Sequence, residues 1–249
     1  MVTLKSKEEM EKMRRASRVV GETLLKVGEL IKPGVSTLDL DRIAEENIRS
    51  HGMTPSFKGY LGFQHTLCTS INEEVVHGIP SEKRVLQEGD IIGVDCGAIF
   101  EGYHGDSART FAVGPVTEEV KLLMQVTRES LDKGIEQMQA GNRLFDIGAA
   151  IQKHIESNKL AVVKEYVGHG IGTSLHEDPQ VPNYGVAGTG MRLKSGMVFA
   201  IEPMVNLGTA ETRLLEDGWT VVTKDGQYSA HFEDTIAITE NGPIVLTRL

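Results

Sequence analysis

Four carboxylates carry the chemistry of this sequence, because they sit at matching positions of a chain that repeats itself. Asp95 closes the apolar run IIGVD and Glu202 closes MVFAIE. A single displacement of 107 residues relates them, and it also lays ETLLKVGELIKPG (22–34) over ESLDKGIEQMQAG (129–141). A second pair follows at a displacement of 127: His104-Gly105-Asp106 matches His231-Phe232-Glu233. Each leads into a strand-like run, SARTFAV or DTIAIT, and then into a Gly-Pro turn. A carboxylate that ends an Ile/Val-rich segment is costly to desolvate without a cation or hydrogen-bond donors. Singly, each of these acids reads as an exposed loop residue. If the halves pack about a pseudo-two-fold axis, the four converge, and they cannot all ionise without strong positive charge among them. A pair of divalent cations about 3.5 to 4 Å apart, bridged by carboxylates, meets that need.

Eight histidines are the other candidates. His169 lies in GHGIG, where glycines leave room for close approach of a ligand. His176 follows in HEDP, and His77 sits in VVHGIP between a short apolar run and a turn. His51, at a helix end, and His154, on a helix face, read as solvated. His65, His104 and His231 fit support of a carboxylate and plain structure equally well. Several familiar motifs are excluded. HEDPQ lacks the second His of a helical zinc site and carries Pro179. GHGIGT lacks the third glycine of a dinucleotide loop, and GTGMRLKS lacks the Gly-Lys junction of a phosphate loop. No GxSxG elbow is present for an activated serine.

The elements that must position these residues also come in two sets. Ser6 with Glu9 forms a capping-box pattern, and Met10, Met13, Val20, Leu24, Val27 and Leu30 recur at helical spacing, which predicts a helix from 7 to about 31. Pro33-Gly34 ends it, and Ser36 opens a second helix through about Ser50. In the second half, Thr117 opens a helix to about Gln139, Gly141 breaks it, and 143–157 forms the next. The runs IIGVD, SARTFAV, KEYV, MVFAIE, WTVV and DTIAIT read as strands. Paired helices followed by runs of strands indicate an α+β fold. Each half is expected to contribute a curved antiparallel sheet backed by two helices. The second half carries a 20-residue insertion between its acidic strands, around GTAETRLLEDGW. This organisation reads as a single catalytic domain over 1–249, with half-repeats at about 7–115 and 116–243.

The chain has 249 residues, 24% of them charged, and a net charge of -9. A chain this long buries roughly 70% of its unfolded surface on folding and needs no disulfide framework. Two cysteines, Cys68 and Cys96, read as small buried hydrophobes in a reducing compartment. The acidic balance disfavours a nucleic-acid backbone as main partner. The charged N-terminal stretch is unlike a signal peptide, and no apolar run approaches the roughly 20 residues that span a bilayer. The expected location is the cytoplasm.

The order Asp95, Asp106, His169, Glu202, Glu233, with VVHGIP, GHGIGTSLHEDP and SGMVFAIEP around it, resembles the type I methionine aminopeptidases across essentially the whole chain. The resemblance implies a pseudo-two-fold "pita-bread" fold with a dinuclear metal site at its centre. By similarity Asp95 is the terminal ligand of one ion, Asp106 and Glu233 bridge, and His169 and Glu202 complete the other. His77 and His176 resemble the two non-ligand histidines of the site, His77 near the scissile amide and His176 at its carbonyl oxygen. Tyr60, Phe63, Cys68 and Trp219 would line the methionine pocket. The implied reaction is attack of a metal-bridging water or hydroxide on the first peptide bond, with Glu202 relaying a proton. The cofactor would be two ions of Co, Mn, Fe or Zn, which the sequence does not distinguish.

The implied substrates are nascent chains that begin with Met and a small second residue, as this chain does with Met1-Val2. A transient ribosome contact and a monomeric state go with that reading, with no specific nucleic acid and no membrane. Three other readings compete. One is a prolidase or aminopeptidase P type enzyme, which usually carries a further N-terminal domain. The second is a non-catalytic binding module on the same fold, opposed by five filled ligand positions. The third is a di-metal phosphoesterase, opposed by the lack of basic residues near the ligands.

Overall fold

The computed structural model describes residues 2–249; Met1 of the Met1-Val2 start lies outside them. Helix α1 (Lys7–Leu30) begins at the predicted capping box, in which the Ser6 hydroxyl accepts from the Glu9 amide and the Glu9 carboxylate accepts from the Ser6 amide. Its buried stripe of Met13, Ala16, Val20, Leu24 and Val27 follows helical spacing. Helix α2 (Thr37–Ser50) is capped by Ser36 and Asp39 in the same manner. Helices α3 (Glu118–Glu136) and α4 (Leu144–Ser157) are the second pair. Helix α3 stops short of the expected Gln139. Met138 turns into the core, and the backbone at Gly141 and Asn142 pairs with Leu193 instead of continuing the helix.

The strands form antiparallel sheets. In the first half, β2 (Ile91–Phe100) has β1 (Leu67–Ile71) and the short Thr54–Pro55 strand on one edge and β3 (Tyr103–Ala112) on the other. Its inner face packs on α1 and α2 through Val20, Leu40, Ile48, Ile92 and Val94. The second half has a five-stranded sheet. It contains β4 (Gly168–Gly170), β5 (Glu177–Val181), β6 (Val198–Ile201), β8 (Asp234–Thr239) and β9 (Gly242–Val245), in the order β9-β8-β6-β4-β5. It packs on α3 and α4 through Leu123, Ile147, Ile151 and Phe199. Strand β7 (Ser229–His231) precedes β8 and belongs to a separate three-stranded sheet.

Two expectations change. KEYV is not a strand: Lys164 and Glu165 are exposed, and the chain there crosses from the Ala161–Val162 strand to β4. The insertion is a hairpin of Thr212–Leu214 and Val221–Thr223. Its second strand pairs with Glu74–Val76, so this segment of the second half braces the first half just before His77.

The two halves meet along a seam between β3 and residues 231–235. Ala108 and Glu233 exchange backbone hydrogen bonds at 3.3 and 2.9 Å. The Thr235 hydroxyl accepts from the Asp106 amide at 3.0 Å and donates to the Asp106 carbonyl at 2.8 Å. The displacement of 127 carries Asp106 onto Glu233 and Ala108 onto Thr235, so each of these pairings maps onto the other. A self-complementary seam of this kind is what a two-fold relation demands. Its consequence is that Asp106 and Glu233 lie side by side at the centre.

Candidate metal centre

Strand register fixes the acids. Asp95 is opposite Ala108 and Asp106 is opposite Gly97 in the β2–β3 pairing. The two acids are therefore diagonal neighbours on one face. In the second half Ile201 is opposite Asp234, so Glu202 and Glu233 are the next facing pair. His169 enters from β4, opposite Ala200. Its Nδ1 lies 2.9 Å from the Gly170 carbonyl, to which it donates. That bond puts the lone pair on Nε2, which faces Glu202 at 3.6 Å and Asp106 at 3.9 Å. Asp106, His169 and Glu233 each offer a ligand atom within 4.8 Å of one another.

Electron-rich atoms therefore face one another in a buried place. Asp106 and Glu233 are 4% and 2% exposed. Burial raises Asp95 to about 7, with Glu202 adding repulsion, and it raises Glu202 to about 8. Asp106 and Glu233 go well above the usual range, first through burial and then through repulsion, Asp106 from Asp95 and Glu202 and Glu233 from Asp106 and Glu202. Burial also holds His169 at about 3, so it is neutral and offers a lone pair. Asp95 Oδ1, Asp106 Oδ1, Glu233 Oε1 and His231 Nε2 are buried without a hydrogen-bond partner, an arrangement that demands an explanation. The guanidinium beside the cluster, Arg109, is bound to the Glu233 carbonyl and to Asp234 instead. Orphaned oxygens with one imidazole lone pair are the donor set of a borderline divalent cation such as Mn, Fe, Co or Zn.

The remaining predicted residues surround a cavity of about 170 Å³ whose floor is this cluster. His77, His176, Tyr60, Phe63, Cys68 and Trp219 all line it. His77 follows the Glu74–Val76 strand in a left-handed conformation with φ 62°, and burial lowers it to about 4. His176 Nδ1 lies 2.8 Å from the Tyr60 hydroxyl, and its ring centroid is 4.3 Å from that of His169. Phe63 and Trp219 meet edge to face at 5.0 Å. Cys68 and Cys96 are free and buried.

Phe57, Leu61 and Leu175 also line the cavity and were not singled out from the sequence. The aromatic density of PSFKGYLGF and the position of Leu175 beside His176 were the available signals. Among the histidines left open, His231 faces Glu202 at 3.5 Å. His104 is held by the Ser56 hydroxyl at 2.9 Å, and His65 lies 3.5 Å from Asp41, away from the cluster. His51 is exposed beside Glu22, but His154 is only partly exposed and contacts Glu129 at 3.0 Å. No helix among the described residues is long and apolar enough to cross a membrane.

Comparison with known proteins agrees with this geometry. The model of metallopeptidase family M24 matches residues 11–240. The chain is 56% identical to a methionine aminopeptidase of Clostridium acetobutylicum over 99% of both chains. The crystal structure of a methionine aminopeptidase from Thermotoga maritima superposes with a TM-score of 0.99 at 47% identity, covering all of both chains. A prolidase from Pyrococcus furiosus shares the fold at 24% identity and a TM-score of 0.77, with this chain covering 65% of it. The chain belongs to metallopeptidase family M24, among its methionine aminopeptidases.

Proposed function

We propose that this chain removes the N-terminal methionine from nascent proteins whose second residue is small, using two divalent ions held by Asp95, Asp106, His169, Glu202 and Glu233. The observation that carries this reading is the set of orphaned carboxylate oxygens and one imidazole lone pair at the floor of an aromatic cavity. Divalent ions at such a centre supply Lewis acidity and a water that is nucleophilic at neutral pH. Asp95 would serve one ion, His169 and Glu202 the other, and Asp106 and Glu233 both.

The chain's own groups do the rest. Glu202, a carboxylate that lines the cavity beside the other ligands, is placed to take and pass on a proton. With Tyr60 donating its hydroxyl proton to His176 Nδ1, the ring proton of His176 sits on Nε2 and is free to stabilise the carbonyl oxygen as it becomes an oxyanion. His77, neutral through burial, contacts the scissile amide. Tyr60, Phe63, Cys68 and Trp219 receive the methionine side chain, with aromatic rings placed for contact with its sulfur. Anchoring of the substrate's free α-amino group by one of the ions would make the enzyme an exopeptidase.

We read residues 1–249 as one catalytic domain built of half-repeats at about 7–115 and 116–243. It acts as a monomer in the cytoplasm, with transient contact to the ribosome. The test is hydrolysis of Met-Ala-Ser against an Ala-Pro-type peptide, with Glu202→Gln as control. Release of Met by the wild type, loss in the variant and no cleavage before proline support the reading. Preferential cleavage before proline would replace it with the prolidase reading.

A further inference from the structure

The reverse side of the seam carries a buried ion-pair network that the proposed reaction does not use. Successive strand residues face opposite ways, so where Glu233 turns to the cluster, Asp234 turns away from it. Asp234 is 0% exposed. Its carboxylate accepts from the Thr247 hydroxyl at 2.7 Å, from Arg248 Nε at 2.8 Å and from the Arg109 guanidinium. Arg109 also donates to the Glu233 carbonyl and, at 2.8 Å, to the Ala108 carbonyl, the two partners of the seam. Arg248 reaches on to Asp132 of α3 at 2.5 Å. One carboxylate thus ties together β3, β8, helix α3 and the segment after β9.

A buried ion pair adds little to stability over well-packed apolar residues of the same size. Its distinctive property is geometric: it fixes the directions of the groups it binds. We infer that Arg109 and Arg248, acting through Asp234, are positioning residues that hold the Glu233 backbone, and thereby set the affinity of the carboxylate cluster for divalent ions. The inference rests on the reading of Glu233 as a ligand. Groups that orient ligands change metal affinity by about 10- to 100-fold when removed.

The test is calorimetric titration of chelator-stripped full-length protein with Mn2+, well below the melting temperature of each variant. Arg248→Met keeps the aliphatic stem and removes the fork. It should weaken Mn2+ binding about tenfold, with kcat at saturating Mn2+ within about twofold of wild type, and Arg248→Lys should recover part of the loss. A purely structural role would lower the melting temperature and leave the Mn2+ dissociation constant unchanged, which would overturn the inference. If Arg248→Met does not fold, Asp132→Asn cuts only the outer link; weaker binding supports the inference and wild-type binding overturns it. A wild type that binds no Mn2+ would remove the ligand reading itself, and this inference with it.

Discussion

As the pH rises from about 6.5 to about 8, the chain stripped of divalent ions should lose stability relative to the same chain with saturating Mn2+. The carboxyls of the cluster have ordinary values near 4 in the unfolded chain. Burial raises Asp95 to about 7 and Glu202 to about 8, with Asp106 and Glu233 well above their usual range. The metal-free folded state therefore keeps protons that the unfolded chain has released. Their stabilising effect is complete below about pH 4 and is lost as pH rises through the folded values.

Buried histidines act with the opposite sign. His77, His104 and His231 are lowered to about 4 and His169 to about 3, so they make stability rise with pH up to their unfolded value near 6.5. His176 is lowered by burial as well, and the rise from all five fades only by about pH 7.5; because it is common to the metal-free and the Mn2+-loaded chain, the difference between those two conditions isolates the carboxyls. Glu202 alone, still protonated over about 1.5 pH units, gives about 2 kcal/mol at 1.36 kcal/mol per unit. For a chain of this size that widens the gap below the Mn2+-loaded chain by about 4 to 8 °C in melting temperature. Scanning calorimetry with chelator and with saturating Mn2+ reads it directly. A gap between the two melting temperatures that stays constant or narrows as the pH rises would refute the prediction.

Other consequences are simpler to measure. His77→Ala should lower kcat sharply while metal content, read by elemental analysis of the purified variant, stays near wild type; loss of metal would make His77 a ligand. Leu61 is 80% exposed and held at φ 48°. Leu61→Asn should relieve about 1 kcal/mol of left-handed strain and raise the melting temperature by about 2 to 4 °C. Gly105 is the close-approach point of β3 on α1, where an added Cβ would lie 2.6 Å from the Ser17 amide nitrogen. Gly105→Ala should therefore cost about 1 to 3 kcal/mol and weaken Mn2+ binding by moving Asp106; an unchanged melting temperature would show that α1 yields freely.

The four acids were legible because the duplication puts chemically matched residues at matched places, and a buried charge cluster needs a cation whatever its family; His169 was one of several candidate histidines until the family resemblance singled it out. The helix starts were legible because capping is local: Ser6, Ser36 and Thr117 each declare themselves within three residues. The end of α3 was not, since Leu193, far along the chain, captures the backbone that would have continued it. The matched displacements also hide a difference in register. Asp95 reaches Asp106 diagonally, whereas Glu202 faces Glu233 directly. Arg109 and Asp234 are 125 residues apart and follow no local pattern, so their pairing emerged only from the fold. Phe57, Leu61 and Leu175 reach the cavity from segments whose composition suits a core equally well.

Met release from Met-Ala-Ser, followed as chelator-stripped protein receives Mn2+, tests the two-ion centre most directly. Turnover should be absent without metal and should saturate by about two equivalents, in step with occupation of a two-ion centre. Full activity in the stripped protein, or turnover indifferent to added Mn2+, would contradict it.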